Sequence, residues 1–209
     1  MIRVKICGIT RMEDAMAAAE EGASALGFIF FPPSPRYIDS RGAAAIIREI
    51  PPFVTPVGVF VNETREEILR TIDATGIRCL QLHGDELPED TAGYDVPVIK
   101  SFRVGDGFDV AAMAPYRAAA YLLDASAPGM YGGTGKTFDW RVARRASETM
   151  RIILSGGISP ENVARAAAEV MPYAVDLSSG VESAPGIKDR RKIRELFERL
   201  KGVPAPRPS

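Results

Sequence analysis

The chain has 209 residues, of which 46% are hydrophobic and 25% charged, a composition typical of a globular protein with one large core. Its 26 basic and 27 acidic residues nearly balance, and no block of Lys or Arg stands out, so we expect no nucleic-acid partner. No apolar run approaches the ~18 residues of a membrane helix, and a strand pattern starts at Arg3, where a signal peptide is not expected. The sequence predicts a cytoplasmic protein without a membrane partner.

Eight short apolar or β-branched runs alternate with segments of helical periodicity. The runs are residues 3–6, 25–30, 54–61, 79–82, 96–102, 120–123, 151–154 and 174–177. Strands that are apolar on both faces and separated by helices pair in parallel, and eight such units close into a (β/α)8 TIM barrel. We predict one α/β domain over residues 1–201 and a disordered tail at 202–209. An open doubly wound sheet is the alternative, disfavoured because no Gly-x-Gly-x-x-Gly follows the first strand.

Three helix starts carry residues typical of helix caps. In two of them a hydroxyl residue precedes a glutamate by three positions, as in a capping box, and in the third a serine precedes a proline at the first helical position. The pairs are Thr10 with Glu13, Thr64 with Glu67, and Ser159 with Pro160.

The two cysteines, Cys7 and Cys79, fit neither a metal-binding spacing nor a disulfide framework, so no metal site is predicted. Cys79 opens the fourth strand, and we interpret it as a core residue. Cys7 closes the first strand, directly before Gly8. A thiol there can meet a ligand, and with an ordinary pKa of ~8.5 it can act as a base near neutral pH. A nucleophilic role is the alternative.

Ligands of such barrels bind at the carboxyl ends of the strands, where Asp124 follows an apolar run. A carboxylate in this position must face the mouth of the site, be paired, or be protonated, because an unpaired buried charge is too costly. We interpret Asp124 as a proton-transfer group, with capping of its own loop as the alternative.

Glycines and serines mark a predicted phosphate site. Gly156 and Gly157 lie between the seventh strand and a helix, which leaves backbone N–H groups free to face an anion; a simple tight turn is the alternative. Ser179 and Gly180 occupy the equivalent position after the eighth strand. Barrels commonly hold phosphate between these two loops.

Two further charged groups are candidates for substrate contact. Arg36 lies between prolines after the second strand, where its planar fork can clamp a carboxylate; a solvated surface arginine is the alternative. Two-residue alternation puts Lys5 on the side of Cys7, and closure of a barrel brings Lys5 to Asp176. We expect this pair to be structural first and a substrate contact second.

The stretch 126–138 contains four glycines and is longer than a simple connector, so we interpret it as a lid. Its Gly135-Lys136-Thr137 is similar to the end of a nucleotide-binding P-loop. That motif requires a glycine where Met130 stands, which argues against it.

At these positions the sequence resembles the phosphoribosylanthranilate isomerases of tryptophan biosynthesis over residues 1 to about 200. The specific part of the match is the combination of Lys-Ile-Cys-Gly, Ser-Pro-Arg and Ser-Ser-Gly-Val-Glu. The Gly-Gly-Ile motif is less specific, because it occurs in many phosphate-binding barrels. The matching motifs are Lys5-Ile6-Cys7-Gly8-Ile9-Thr10, Gly27-Phe28-Ile29-Phe30, Ser34-Pro35-Arg36, Gln81-Leu82-His83-Gly84, Leu123-Asp124, Gly132-Gly133-Thr134-Gly135, Leu154-Ser155-Gly156-Gly157-Ile158 and Ser178-Ser179-Gly180-Val181-Glu182.

The resemblance implies a (β/α)8 fold, no cofactor, and an Amadori rearrangement of N-(5-phosphoribosyl)anthranilate, a small phosphorylated substrate. Cys7 then matches the family's general base, Asp124 its general acid, and Arg36 the residue that holds the anthranilate carboxylate. The phosphate cradle matches Gly156, Gly157, Ser179 and Gly180. Relatives include monomers and dimers, so the chain is expected to be a monomer or a homodimer. The rival functions are another phosphate-barrel sugar isomerase, of the histidine-pathway type, and a non-catalytic barrel that binds a phosphorylated metabolite.

Overall fold

The computed structural model describes residues 2–105, 107–125 and 138–203. Its centre is a closed barrel of eight parallel strands, in which each strand pairs with the next and the last pairs with the first. The strands are β1 (Arg3–Cys7), β2 (Ala25–Ile29), β3 (Thr55–Phe60), β4 (Cys79–Leu82), β5 (Val98–Val104), β6 (Ala120–Ala125), β7 (Ile152–Leu154) and β8 (Ala174–Leu177). The predicted barrel is confirmed. A doubly wound sheet is excluded, because it would leave two edge strands unpaired.

Helices surround the barrel, but not after every strand. The α-helices of the described ranges are α1 (Met12–Glu21), α2 (Ser40–Ile47), α3 (Arg65–Thr75), α4 (Trp140–Ser147), α5 (Val163–Val170) and α6 (Arg190–Leu200). In its described residues, the connection from β4 to β5 has only the short 3-10 helix Pro88–Thr91, and that from β5 to β6 only Val110–Met113. The expectation of a helix after every strand is therefore wrong at these two crossovers. Both connections contain glycine and proline residues, which interrupt an α-helix.

The barrel separates two hydrophobic clusters. One fills its interior and consists of small and branched aliphatic strand residues and a cysteine: Val57, Cys79, Ile99, Ala120, Leu122, Ile153 and Ala174. The larger one joins outward-facing strand residues such as Leu26 and Leu80 to buried helix residues such as Leu196. This arrangement explains why the strands are apolar on both faces. Cys79 is a core residue, as predicted, and burial raises its pKa to about 11.

The predicted helix starts are only partly correct. Thr64 caps α3 by accepting a hydrogen bond from the N–H of Glu67 at 3.3 Å. Helix α1 instead begins after Arg11 without a side-chain cap, because the hydroxyl of Thr10 donates to the carbonyl of Gly186 at 2.6 Å. Helix α5 begins at Val163, after a turn that follows the Ser159 and Pro160 pair.

A hairpin that the sequence pattern did not indicate lies between β8 and α6. Its strands, β9 (Glu182–Ala184) and β10 (Ile187–Lys188), are antiparallel. It is held to the start of α1, because the N–H of Lys188 donates to the carboxylate of Asp14 at 3.1 Å. Lys188 Nζ also donates to the carbonyl of Cys7 at 2.6 Å, so the hairpin lies against the carboxyl end of β1.

The predicted disordered tail begins at Gly202, yet Val203 packs against the larger hydrophobic cluster and its N–H donates to the carbonyl of Leu200 at 3.1 Å. Val203 has apolar surface to bury, and disorder of the tail stays a prediction. Residues 204–209 lie outside the described ranges. Among the residues described, no helix is both long and apolar enough to span a membrane.

Candidate active site

A cavity opens at the carboxyl ends of the strands. It brings together four of the predicted site residues, Cys7, Arg36, Asp124 and Asp176, from the ends of β1, β6 and β8 and from the loop after β2. The other residues that line it are Ile29, Phe31, Ser34, Val59, Val61, Gln81, His83, Ser155 and Ser178. The predicted phosphate-binding residues are not among its lining; they lie in the adjacent loops after β7 and β8.

Cys7 is the last residue of β1 and is buried. A Cβ atom at Gly27, on the neighbouring strand, would lie 2.7 Å from its sulfur and 3.1 Å from Lys5 Nζ, so the glycine makes room for both groups. Burial raises the pKa of the Cys7 thiol, and Asp176 raises it further, whereas the ammonium groups of Lys5 and Lys188 oppose the rise. The two lysines therefore stabilise the thiolate form that a base requires.

Lys5 and Asp176 meet as predicted. Lys5 Nζ donates to Asp176 Oδ1 at 2.8 Å, and both side chains are buried. Burial works against the charge on Lys5, but Asp176 and Cys7 together raise its pKa above the ordinary value. The other carboxylate oxygen of Asp176 accepts a hydrogen bond from Ser155 Oγ at 3.5 Å.

Asp124 lies next to an imidazole. His83 Nε2 is 3.5 Å from Asp124 Oδ2, and the N–H of Ala125 donates to Asp124 Oδ1 at 2.9 Å. Gln81 Nε2 and His83 Nδ1 are 2.9 Å apart, while the buried Gln81 Oε1 has no partner in the described structure. Neither residue was assigned a role from sequence. Two-residue alternation could have indicated them, because Gln81 lies on β4 and His83, two positions later, directly follows this strand.

Arg36 forms a bidentate ion pair with Glu182. Its Nε donates to Oε1 at 2.9 Å and its Nη2 to Oε2 at 2.8 Å. Lys188 Nζ donates to the same carboxylate at 2.8 Å and to the carbonyl of Cys7 at 2.6 Å. Burial alone would raise the pKa of Glu182, but the hydrogen bond from Arg36 and the charge of Lys188 hold it below its usual value. The surface-arginine alternative is wrong, since the Arg36 side chain is only 13% exposed and is paired with Glu182.

The loops after β7 and β8 are in contact. Gly156 and Gly157 have positive φ angles of 79° and 63°, a conformation that favours glycine. Their N–H groups donate no hydrogen bond to any residue that the structure describes. Ser179–Val181 forms a short 3-10 helix, and a Cβ atom at Gly180 would overlap the carbonyl of Ile158. The two loops that are predicted to hold an anion are thus in contact with each other.

Among the described residues, no group of three or more His, Cys, Asp or Glu side chains could hold a metal ion. The predicted lid and the residues similar to a P-loop lie in 126–137, outside the described ranges. Only Phe138, at the end of that stretch, is described, and it packs against the larger hydrophobic cluster.

Comparisons with known proteins agree on one family. Residues 4–199 match the family model of N-(5′-phosphoribosyl)anthranilate (PRA) isomerase. The N-(5′-phosphoribosyl)anthranilate isomerase of Citrifermentans bemidjiense is 52% identical over 97% of this chain and 98% of that protein. A phosphoribosyl anthranilate isomerase in complex with reduced 1-(o-carboxyphenylamino)-1-deoxyribulose 5-phosphate is 42% identical, with a TM-score of 0.86 over 97% of this chain and 100% of the other.

A second solved structure contains monomers generated from the dimeric enzyme of Thermotoga maritima. It is 40% identical to this chain, with a TM-score of 0.85 over 97% of this chain and 100% of the other. With an eight-stranded barrel, a cavity at its carboxyl face and these similarities over nearly its whole length, the chain belongs to the N-(5′-phosphoribosyl)anthranilate isomerase family.

Proposed function

We propose that Cys7 and Asp124 transfer the protons in the rearrangement that this family catalyses. As a member of the family, the protein is an isomerase of tryptophan biosynthesis that acts on N-(5′-phosphoribosyl)anthranilate. The observation that supports the proposed roles is that both side chains line one cavity, from β1 and β6, which are three strand steps apart around the barrel. A substrate between them has an acid on one side and a base on the other.

The chemistry needs one proton donor and one acceptor. Asp124, in its protonated form, gives a proton to the ring oxygen of the ribose as the bond from that oxygen to C1′ breaks, and the anilino nitrogen forms a protonated imine. Cys7, as thiolate, then removes the proton from C2′, and the electron pair of that bond forms the C1′=C2′ bond of an enolamine. Tautomerisation gives the amino-ketose 1-(2-carboxyphenylamino)-1-deoxyribulose 5-phosphate. Each transfer by a positioned group is typically worth ~10²–10⁴-fold.

The remaining predicted residues would hold the two ends of the substrate. Arg36 binds the anthranilate carboxylate, because a planar guanidinium matches a carboxylate. Gly156, Gly157, Ser179 and Gly180 bind the phosphate through backbone N–H groups, in the loop pair that barrels commonly use. Asp176 contacts substrate from the cavity wall. No cofactor takes part in this scheme.

Location and assembly belong to the same proposal. We place the enzyme in the cytoplasm, as a monomer or a homodimer; the dimeric enzyme from Thermotoga maritima supports the second form. Size-exclusion chromatography with light scattering separates the two.

The test follows loss of the fluorescence of the anthranilate conjugate with the purified protein. Cys7→Ala and Asp124→Asn should each lower kcat by about 10²-fold or more while the folded state is retained. Cys79→Ala is the matched control, because Cys79 is also a buried cysteine of the barrel interior but does not line the cavity. Near-normal kcat in either catalytic variant would refute its role. Turnover of the histidine-pathway substrate in preference to the anthranilate compound would favour the rival isomerase. Binding of product analogues without any turnover would favour the non-catalytic barrel.

A further inference from the structure

Arg36 is fixed on two sides. Its aliphatic stem lies over Gly8, where a Cβ atom would come within 2.7 Å of Arg36 Cδ, and Gly8 has a positive φ of 77°. Its guanidinium uses Nε and Nη2 on Glu182, while Nη1 has no partner among the described residues. Glu182 thus holds the guanidinium at Nε and Nη2. Because Arg36 lines the cavity, its Nη1 is available to a ligand.

Glu182 is itself held in place. Besides Arg36, its carboxylate accepts hydrogen bonds from Lys188 Nζ at 2.8 Å and from the N–H of Gly186 at 3.2 Å, both in the β9–β10 hairpin. Because Lys188 Nζ also binds the carbonyl of Cys7 at 2.6 Å, the same hairpin connects the arginine to the backbone of the proposed base. A carboxylate with this many partners has little freedom to turn away from Arg36.

We infer that Glu182 is a positioning residue that holds the Arg36 guanidinium ready for the carboxylate of the substrate. The inference rests on the proposed role of Arg36. A free arginine side chain loses rotamer freedom when it clamps a ligand, and a side chain already fixed loses less, so the ion pair increases affinity without touching substrate. Glu182 does not line the cavity, which separates it from the groups that bind substrate directly.

This role makes a selective prediction that a purely structural ion pair does not. Glu182→Gln should weaken binding of a ligand that carries the carboxylate and leave the same ligand without it nearly unaffected. Suitable probes are the reduced product analogue, 1-(2-carboxyphenylamino)-1-deoxyribulose 5-phosphate reduced at its ketone, and its phenylamino counterpart that lacks the carboxyl group. Both can be measured as competitive inhibitors and by calorimetry.

In Glu182→Gln we expect the inhibition constant of the carboxylated analogue to rise about tenfold or more, and that of the phenylamino analogue to change less than about threefold. KM should rise more than kcat falls, because the carboxylate is held alike in the ground state and the transition state. Arg36→Met should remove the preference for the carboxylated analogue, and adding Glu182→Gln to it should change that preference no further.

Glu182→Asp is the second variant, since it keeps a negative charge for Lys188 but is too short to hold both nitrogens of Arg36. It should lose the carboxylate preference even if Glu182→Gln fails to fold. An equal loss of affinity for both analogues, or full retention of the preference in the folded variants, would overturn the inference. If Arg36→Met leaves the preference intact, the proposed role of Arg36 fails instead.

Discussion

Replacing Asp176 by asparagine tests the buried pair at the wall of the cavity. Lys5 and Asp176 are 2.8 Å apart, and the Lys5 side chain is only 3% exposed, so little water can reach its ammonium group to replace the lost carboxylate. Breaking such a pair leaves an uncompensated charge and typically costs ~3–5 kcal/mol. For a chain of this length ~1 kcal/mol lowers Tm by about 2–4 °C, so Asp176→Asn should melt about 6–20 °C below the parent.

The same substitution changes the proposed base in a defined direction. Asp176 raises the pKa of Cys7 and Lys5 lowers it, so removal of Asp176 should let the thiolate form at lower pH. A pH series of alkylation by iodoacetamide, read by mass spectrometry at Cys7, should show its midpoint shifted downward in Asp176→Asn. Both proteins should carry Cys79→Ala, so that Cys7 provides the one remaining thiol.

A double variant separates the pair from the individual residues. Lys5→Met with Asp176→Leu replaces two charges by apolar groups, and such exchanges are often neutral or stabilising. We expect it to be more stable than Asp176→Asn, as measured by urea denaturation. A Tm of Asp176→Asn within about 2 °C of the parent would refute the argument, because it would mean that the Lys5 charge was never dependent on its partner.

Three further predictions follow from single positions. Gly27→Ala should lower kcat by about 10²-fold in the fluorescence assay, because the new methyl group displaces the sulfur of Cys7; an unchanged kcat would contradict the packing described for β1 and β2. Gly180→Ala should raise both KM and the inhibition constant of inorganic phosphate about tenfold, because the new side chain pushes the loop away from Ile158. If neither constant rises, the result argues against phosphate binding at this loop. Burial raises the pKa of Cys79 to about 11, above the ~8.5 of an ordinary thiol, so the stability due to its buried thiol is complete below the ordinary pKa and is lost as the pH rises toward 11. Urea denaturation from pH 8.5 to 10.5 should therefore show a steeper loss of stability in the parent than in Cys79→Ala, and parallel curves would refute it.

Much of the site was predictable because it depends on local pattern and on one topological rule. Strands and helices differ in hydrophobic period, and that period located the carboxyl ends of β1 and β6, where Cys7 and Asp124 lie. Barrel closure brings the first strand to the last, and two-residue alternation puts Lys5 on the side of Cys7, so together they predicted the contact between Lys5 and Asp176. His83 directly follows β4, but its distance from Asp124 depends on how neighbouring side chains pack.

Other features depend on contacts that no local pattern encodes. Glu182 reaches Arg36 across 146 positions of the chain, and Lys188 reaches the carbonyl of Cys7 across 181. The hydroxyl of Thr10 had the spacing of a helix cap, but the folded hairpin presents a closer acceptor, the carbonyl of Gly186. The two short crossovers show the same limit, since alternation of strand and helix does not reveal where a connection packs without an α-helix.

The sequence by itself thus determined the barrel, the face of the barrel where the cavity opens, and the residues at its strand ends, because hydrophobic period and parallel topology are properties of chain order. Only the tertiary structure decided which edge of the Arg36 guanidinium pairs with Glu182, which groups surround the Cys7 thiol, and how the loops after β7 and β8 meet. Those features arise from packing between distant segments, where a few tenths of an ångström and the burial of a charge set the outcome.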